Sequence, residues 1–354
     1  MALFSRRNKS DSEDASADRP DSTIEPGEQP VDPAGPSDAD TTAPGDVAPA
    51  DAAPTVNISM SSFRGVGAAS PSEPPVAARP SARQPGPAEA PVGSESIPGL
   101  RDNALLGIAL SELTDPPQNA DLLNVARQLL QGHVFLRVKG DARALLAEGK
   151  ELPLAVASRG DEQLVLAFTG GNALRASVSA DGDHDTSAMG QPIMALLRHV
   201  LAGPYGGIVL DPASSPARAV LPRPLLERMV EQADPELRIK TALSETRTDE
   251  TAAAVVAAIL AEVPLWIAVN RTEEGGPVGV AESRSATGER YLEVFSHPLE
   301  LLALGRGDQP LPLKVDQLAK ALAGDEGLTG LLIDPAGPWI RLTRDDLAPV
   351  IARA

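Results

Sequence analysis

The sequence predicts a mixed α/β protein: two tandem similar domains of α+β-like character behind a long disordered N-terminal arm. Three observations predict it. Residues 134–230 and 265–351 run through the same order of elements, helix-period segments alternate with short apolar strand-like runs, and the first 100 residues differ in composition from all that follow.

The duplication is visible in paired segments. Leu164-Val165-Leu166-Ala167-Phe168-Thr169 is answered by Tyr291-Leu292-Glu293-Val294-Phe295-Ser296. Gly207-Ile208-Val209-Leu210-Asp211-Pro212 is answered by Gly330-Leu331-Leu332-Ile333-Asp334-Pro335. Between each pair lies a helix-like run ending in Leu-Ala-Gly, at Gly203 and at Gly324. The division that follows is an arm over 1–100, a first module over 101–236 and a second over 237–354.

The arm holds 16 of the 34 prolines, and its only aromatics are Phe4 and Phe63. Such a segment buries too little apolar surface to offset its ordering entropy. One island interrupts it at 56–68, where Ile58, Met60, Phe63 and Arg64 have the character of a docking motif. It reads either as a short linear motif for a partner or for this protein's own sheet edge, or as a chance apolar patch.

In the first module, Leu105–Leu110 and Ala120–Leu130 have helical spacing. Val134–Val138 reads as a strand. Leu154–Ala157 and Leu164–Phe168 flank Gly160-Asp161 as a hairpin. Ile193, Leu197, Val200 and Leu201 mark one face of a helix, with Gly203 expected as its left-handed stop. Gly207–Leu210 is a strand buried on both faces, Val220–Leu221 a second short strand, and Leu225, Leu226, Met229 and Val230 mark a closing helix. The second module repeats this. Thr251–Ala261 is a helix and Leu265–Val269 a strand. Val278–Ala281 and Tyr291–Phe295 form a hairpin. Val315, Leu318, Ala319 and Leu322 make an amphipathic face, and Leu328–Ile333 is a buried strand. A last helix starts at Thr343 with Asp346 as an acidic capping box, its inner face Leu347, Val350 and Ile351.

Composition narrows the function. The net charge is −18, with no basic stripe for a nucleic-acid backbone, and aromatics, at 3%, are too few for base-stacking platforms. The chain has no cysteine, which removes disulfides and thiolate chemistry and suits a reducing cytoplasm. Arg6-Arg7 has no apolar core behind it, so no secretory signal is expected. The apolar stretch Ala252–Val269 is broken by Glu262 and Pro264, so no membrane span is expected either.

Chemical motifs are few. His133, His184, His199 and His297 share no metal-ligand spacing, and each reads as a surface or strand-end residue before it reads as a general base. Asp181-Gly182-Asp183-His184-Asp185 opens like a calcium loop but has Thr186 and Pro192 where that loop needs glycine and an acidic ligand. Gly170-Gly171 lacks the remainder of any phosphate-binding pattern and reads as a turn. Asp211-Pro212 and Asp334-Pro335 fall at equivalent strand ends. A strand terminator is the favoured reading over a catalytic aspartate. Trp266 and Trp339 are expected in the core.

These pieces together resemble the SseB N-terminal domain family, named for an enhanced serine sensitivity protein of bacteria. Phe168-Thr169 with Leu174, Phe295-Ser296 with Leu301 or Leu302, the strand from Leu265 to Val269, and the two strands closing in Asp-Pro carry the resemblance. It covers roughly 120–354 and departs in having Asp where the family often has Asn. It implies a cytoplasmic bacterial α/β domain with no established enzymatic activity and brings no catalytic residues. The expectation is a non-catalytic protein-binding or regulatory protein with no cofactor, no metal, no nucleic acid and no membrane. The alternative is an amino-acid or metabolite sensor with a pocket between the modules. An enzyme using scattered carboxylates is a third reading.

Overall fold

The computed structural model describes residues 86–271 and 278–354. The candidate motif at 56–68 lies outside them. The first module comprises α1 (Ala104–Ser111), α2 (Asn119–Leu129), β1 (His133–Lys139), α3 (Ala142–Ala147), β2 (Val156–Arg159), β3 (Glu162–Phe168), α4 (Gly171–Asp181), β4 (Thr186–Pro192), α5 (Ile193–Ala202), β5 (Tyr205–Leu210), β6 (Ala219–Pro222) and α6 (Arg223–Gln232). The second comprises α7 (Arg238–Ser244), α8 (Thr251–Leu260), β7 (Leu265–Arg271), β8 (Val278–Val280), β9 (Glu282–Arg284), β10 (Arg290–Phe295), α9 (Pro298–Leu302), β11 (Gln309–Leu313), α10 (Val315–Gly324), β12 (Leu328–Ile333), β13 (Ile340–Thr343) and α11 (Ala348–Ile351).

The two sheets share one strand order, β4-β1-β3-β5-β6 and β11-β7-β10-β12-β13. Each has a single parallel pair, β3 with β5 and β10 with β12, among antiparallel neighbours. The parallel pair needs a crossover. In the first module that crossover runs through α4, β4 and α5, an edge excursion that places β4 beside β1.

Side-chain alternation sorts the core into two layers per module. Val134, Leu136, Val165, Ala167, Ile208 and Leu210 face α2, α5 and α6, whereas Phe135, Leu164, Leu166, Phe168 and Val209 face Leu174 of α4. In the second module Ile267, Val294, Leu331 and Ile333 meet α8, α10 and α11, and the opposite layer holds Trp266, Ala268, Phe295 and Leu301. Phe135, Phe168 and Phe295 have no exposed surface.

Several local expectations change. Gly170-Gly171 is the start of α4, not a turn, since Gly170 is its N-cap. Gly203 is extended at φ −92°, and Gly324 is the last residue of α10, so neither is a left-handed stop. Arginines close those helices instead. Arg223 donates to the carbonyls of Leu201 at 2.5 Å, Gly203 at 2.9 Å and Tyr205 at 3.1 Å. Arg344 does the same at Leu322, 2.9 Å, and Leu328, 3.1 Å. A guanidinium there satisfies orphan carbonyls and suits the negative helix end.

Val278–Val280 pairs with β7 and not with β10, and it is β9 that pairs with β10. The pivot is Ala281, whose N–H donates to Ala268 and whose carbonyl accepts from Glu293. Ala155 pivots in the same way between Arg137 and Leu166. The last helix begins at Ala348. Thr343 and Asp346 form their reciprocal cap one turn earlier, with Thr343 N–H and Oγ1 donating to Asp346 at 2.8 and 2.7 Å.

Residues 86–102 extend the packed chain into what composition assigns to the arm. This strap starts against the second module, where Gly86 N–H donates to the Pro335 carbonyl at 3.0 Å. Trp339 is half-buried under it and not in the core. Its indole N–H donates to the Gly86 carbonyl at 2.9 Å, and Arg341 stacks 5.2 Å from its ring centre. The strap ends against the first module, where Ile97 and Leu100 pack on the Phe135–Phe168 layer. A Cβ on Gly86 would stand 2.0 Å from the Ala336 carbonyl oxygen, and one on Gly171 2.4 Å from Ile97 Cγ1. Composition hides such a segment because its fixing contacts are backbone approaches and isolated apolar side chains.

Candidate functional site

The two parallel strand pairs end in matching polar clamps. Asp211 leaves β5 with φ 45° and Asp334 leaves β12 with φ 52°, a left-handed conformation that Asp and Asn tolerate better than most residues. Asp211 accepts from Thr169 N–H at 2.8 Å and Thr169 Oγ1 at 2.6 Å. Asp334 accepts from Ser296 N–H at 2.7 Å and Ser296 Oγ at 2.5 Å. Each carboxylate thus ties the end of one parallel strand to the end of its neighbour. Pro212 and Pro335 follow in tight turns that close on the aspartate carbonyls, from Ser214 N–H at 2.9 Å and Gly337 N–H at 2.8 Å. Both aspartates are buried. Burial raises the Asp211 carboxyl, and burial with the nearby Glu300 charge raises Asp334 to about 7.

At Asp334 the clamp adjoins a charge cluster joining the modules. Glu300, in α9, has no exposed surface. Arg127 of α2 donates to its Oε2 at 2.9 Å and to the Gly337 carbonyl at 2.5 Å. The other side of the Arg127 guanidinium is held by Asn124 Oδ1 at 2.9 Å, and Lys240 of α7 donates to Glu300 Oε1. Burial opposes the Glu300 charge, but Arg127 and Lys240 hold its carboxyl below the usual range. His297 is buried too. Its Nδ1 accepts from Leu299 N–H at 3.1 Å, so its Nε2 carries the proton facing the Met229 carbonyl at 3.1 Å. Burial, reinforced by Lys240, lowers the imidazole to about 4 and keeps it neutral. Leu299 completes the junction by entering the first module's core.

The cavity at this junction, lined by Asp234, Lys240, Ser296 and His297 among others, measures about 10 Å³. That is room for about one water, far below the roughly 300 Å³ at which small-molecule pockets begin. The acidic loop at 181–185 is closed by Arg137, which donates to both Asp181 carboxylate oxygens, at 2.5 and 3.0 Å, and to the Asp183 carbonyl. That pairing lowers the Asp181 carboxyl. Among the described residues, no group of three or more His, Asp or Glu is placed to hold a metal ion, and no helix is long and apolar enough to cross a membrane.

The open feature is an edge. β4 pairs with β1 along seven residues, from His133 opposite Pro192 to Lys139 opposite Thr186, and among the described residues no strand pairs with its outer side. An open groove of about 420 Å³ lies at its C-terminal end, lined by Glu95, Leu100, Arg101, His133, Gly190 and Gln191 among others. Its counterpart β11 carries Pro310 and Pro312, which have no N–H to offer a further strand. β6 and β13, the opposite edges, are four residues each.

Residues 239–348 match the SseB protein N-terminal domain. The match lies within the second module, from α7 to the start of α11, and includes the Ser296–Asp334 clamp, His297 and Glu300. No curated protein and no solved structure matches the chain.

Of the positions singled out in the sequence, Asp211, Pro212, Asp334 and Pro335 sit at the two clamps. Ile58, Met60, Phe63 and Arg64 lie outside the described residues. Sequence reasoning passed over Arg127, Lys240 and Glu300. Their partners lie on three helices far apart in the chain, and each residue by itself looks like an ordinary surface charge. The single legible hint is that Glu300 and Lys240 have no charged counterpart in the first module.

Proposed function

We propose that this chain is a non-catalytic protein-binding or regulatory protein of the bacterial cytoplasm, built of two SseB-like modules in tandem, and that recognition takes place along β4. The tandem reading draws support from matched details outside the family match: the shared strand order, the Thr169–Asp211 clamp, the Ala155 pivot and the Arg223 helix closure. A non-catalytic role is supported by the clamps themselves. Each buried aspartate is engaged by a hydroxyl and a backbone N–H, and the histidine and glutamate beside Asp334 are enclosed.

The observation that carries the binding reading is the contrast between equivalent edges. Sheet edges left long and unpaired invite further strands, and proteins normally blunt them. Here β11 is blunted by two prolines within the strand, while β4 has no proline before Pro192 and ends beside an open groove. Strand addition uses such an edge, with backbone hydrogen bonds for affinity and adjacent pockets for selectivity.

Native-lysate capture with the full chain, compared with Ala188→Pro, tests this. Proline there removes a β4 donor and disfavours an added strand. A protein retained by the wild type and reduced at least tenfold by the variant, with the variant's melting temperature within a few degrees, is the expected result. Capture of the same proteins by both chains would reject β4 as the recognition edge.

A further inference from the structure

We propose that the turn from Pro335 to Trp339 is a peptide site for a Gly-Pro-x-acidic segment of a partner protein, held closed in this chain by its own Gly86-Pro87-Ala88-Glu89. The inference does not draw on β4.

The turn grips the strap through its backbone. Gly86 N–H donates to the Pro335 carbonyl at 3.0 Å, and the Trp339 indole N–H donates to the Gly86 carbonyl at 2.9 Å. The Ala88 carbonyl accepts from Trp339 N–H at 3.1 Å and from Arg247 Nη2 at 2.9 Å. Four hydrogen bonds thus hold three residues, and none goes to a strap side chain. Any chain with the same backbone path satisfies them.

The path itself selects the peptide. A Cβ on Gly86 would stand 2.0 Å from the Ala336 carbonyl oxygen, and one on Gly337 would stand 2.7 Å from the Pro87 carbonyl oxygen, so the two backbones touch glycine to glycine. Proline next in line brings no N–H that needs a partner and restricts the free peptide, which lowers the entropy lost on docking. Burial lowers the Arg247 guanidinium from its ordinary range and Glu89 opposes that, which favours an acidic residue at the fourth position. Arg341 holds the indole ready. Its guanidinium lies 5.2 Å from the Trp339 ring centre and 5.3 Å from that of Tyr291.

The fold does not require this clamp. In the first module Arg218 occupies the position before β6 that Trp339 occupies before β13, and Val220 stands where Arg341 does. The anchor is also separable. Ser94, Ser96 and Asp102 fasten the strap to the first module on their own, with Ser94 Oγ donating to Asp102 at 2.7 Å and Ser96 Oγ accepting from Gly171 N–H at 2.6 Å. Between the anchors Glu89, Pro91 and Val92 are exposed, Val92 by 83%. Residues 86–88 can therefore leave the turn while 94–102 stay in place. Tethering of this kind supplies an effective concentration on the order of millimolar, which an external peptide must overcome.

Fluorescence anisotropy of a labelled peptide of residues 86–93, added to the full chain, tests the proposal. The expected result is weak binding to the wild type and binding at least tenfold tighter to Gly86→Val, whose added carbons evict its own anchor. Trp339→Ala in the Gly86→Val background abolishes the gain, and a peptide carrying Gly86→Val binds neither chain. Equal binding to wild type and to a Gly86→Val chain that melts cooperatively overturns the proposal, and so does a gain that survives Trp339→Ala. Where Gly86→Val does not fold, a nitroxide-tagged peptide at millimolar concentration on the wild-type chain decides. Broadening of the Trp339 indole N–H resonance upholds the site, and an unchanged resonance rejects it.

Discussion

Single residues at matched positions carry the two strand-end clamps, and their charges set how stability responds to pH. Asp334 in the folded chain titrates at about 7, above the ordinary aspartate value of 3.8, chiefly because it is buried. A carboxyl raised in this way binds its proton more tightly folded than unfolded. Its contribution to stability is therefore complete below about pH 4 and is lost as pH rises through 7. His297, lowered to about 4, runs the other way, its contribution present above about 6.5 and lost on acidification. Asp334→Asn keeps a residue that tolerates φ 52° and an oxygen for Ser296 N–H while removing the titration. Between pH 4 and 8, the wild type is expected to lose stability relative to this variant, with His297 common to both. Melting curves that stay parallel across that range would contradict the assignment. The position requires a left-handed residue that can accept a hydrogen bond, which Asp and Asn both supply.

At the scale of elements, the readable strands are those with concentrated apolar runs: β1, β3, β5, β7, β10 and β12. The overlooked elements lack that signal. α4 buries only Gly171, Leu174 and Ser177, so it shows no continuous stripe. β4, Thr-Ser-Ala-Met-Gly-Gln-Pro, is of mixed character, and β11 carries two prolines, which an edge strand admits and a central strand does not. The helix ends illustrate a different limit. Leu-Ala-Gly marks the ends of α5 and α10 correctly, but the closure comes from Arg223 and Arg344, about twenty residues downstream. Gly203 is small because a Cβ there would stand 2.7 Å from the Tyr205 ring. Arg344→Ala is expected to cost about 2 kcal/mol, the range for charged hydrogen bonds to partly buried carbonyls. Arg344→Lys should recover only part of it, because an ammonium cannot reproduce the planar fork. Urea denaturation measures both, and a loss below about 0.5 kcal/mol for the alanine variant would show that water satisfies the helix end equally well.

For the whole molecule, the decisive feature is the junction of the modules. Glu300 balances two buried cations, and Leu299 beside it is shared with the first module's core. Glu300→Ala leaves Arg127 and Lys240 buried without a counter-charge and is expected to cost about 3–5 kcal/mol. Arg127→Met/Lys240→Met/Glu300→Leu removes the uncompensated charge and should recover most of that loss. A triple variant no more stable than Glu300→Ala, by denaturant midpoint, would place the cost in packing and not in charge. The corresponding positions of the first module, Ala173 on α4 and the small-residue start at Gly170-Gly171, are covered by the strap instead. Equivalent ends of the two modules are therefore closed by different means, one by the neighbouring module and the other by residues 94–102.

The sequence alone determined what depends on local spacing: two similar runs of elements, the apolar faces of their principal helices and strands, and the matched Asp-Pro strand ends. These signals are short-range, because a helix or strand announces its buried face through its own period. Only the tertiary structure decided which charges meet at Glu300, that residues 86–102 are part of the packed body, and that β4 and β11 stand at equivalent sheet edges, the second carrying two prolines. Each depends on groups brought together from distant parts of the chain, where one charge, one glycine or one proline acquires its meaning from a neighbour that spacing along the sequence does not reveal.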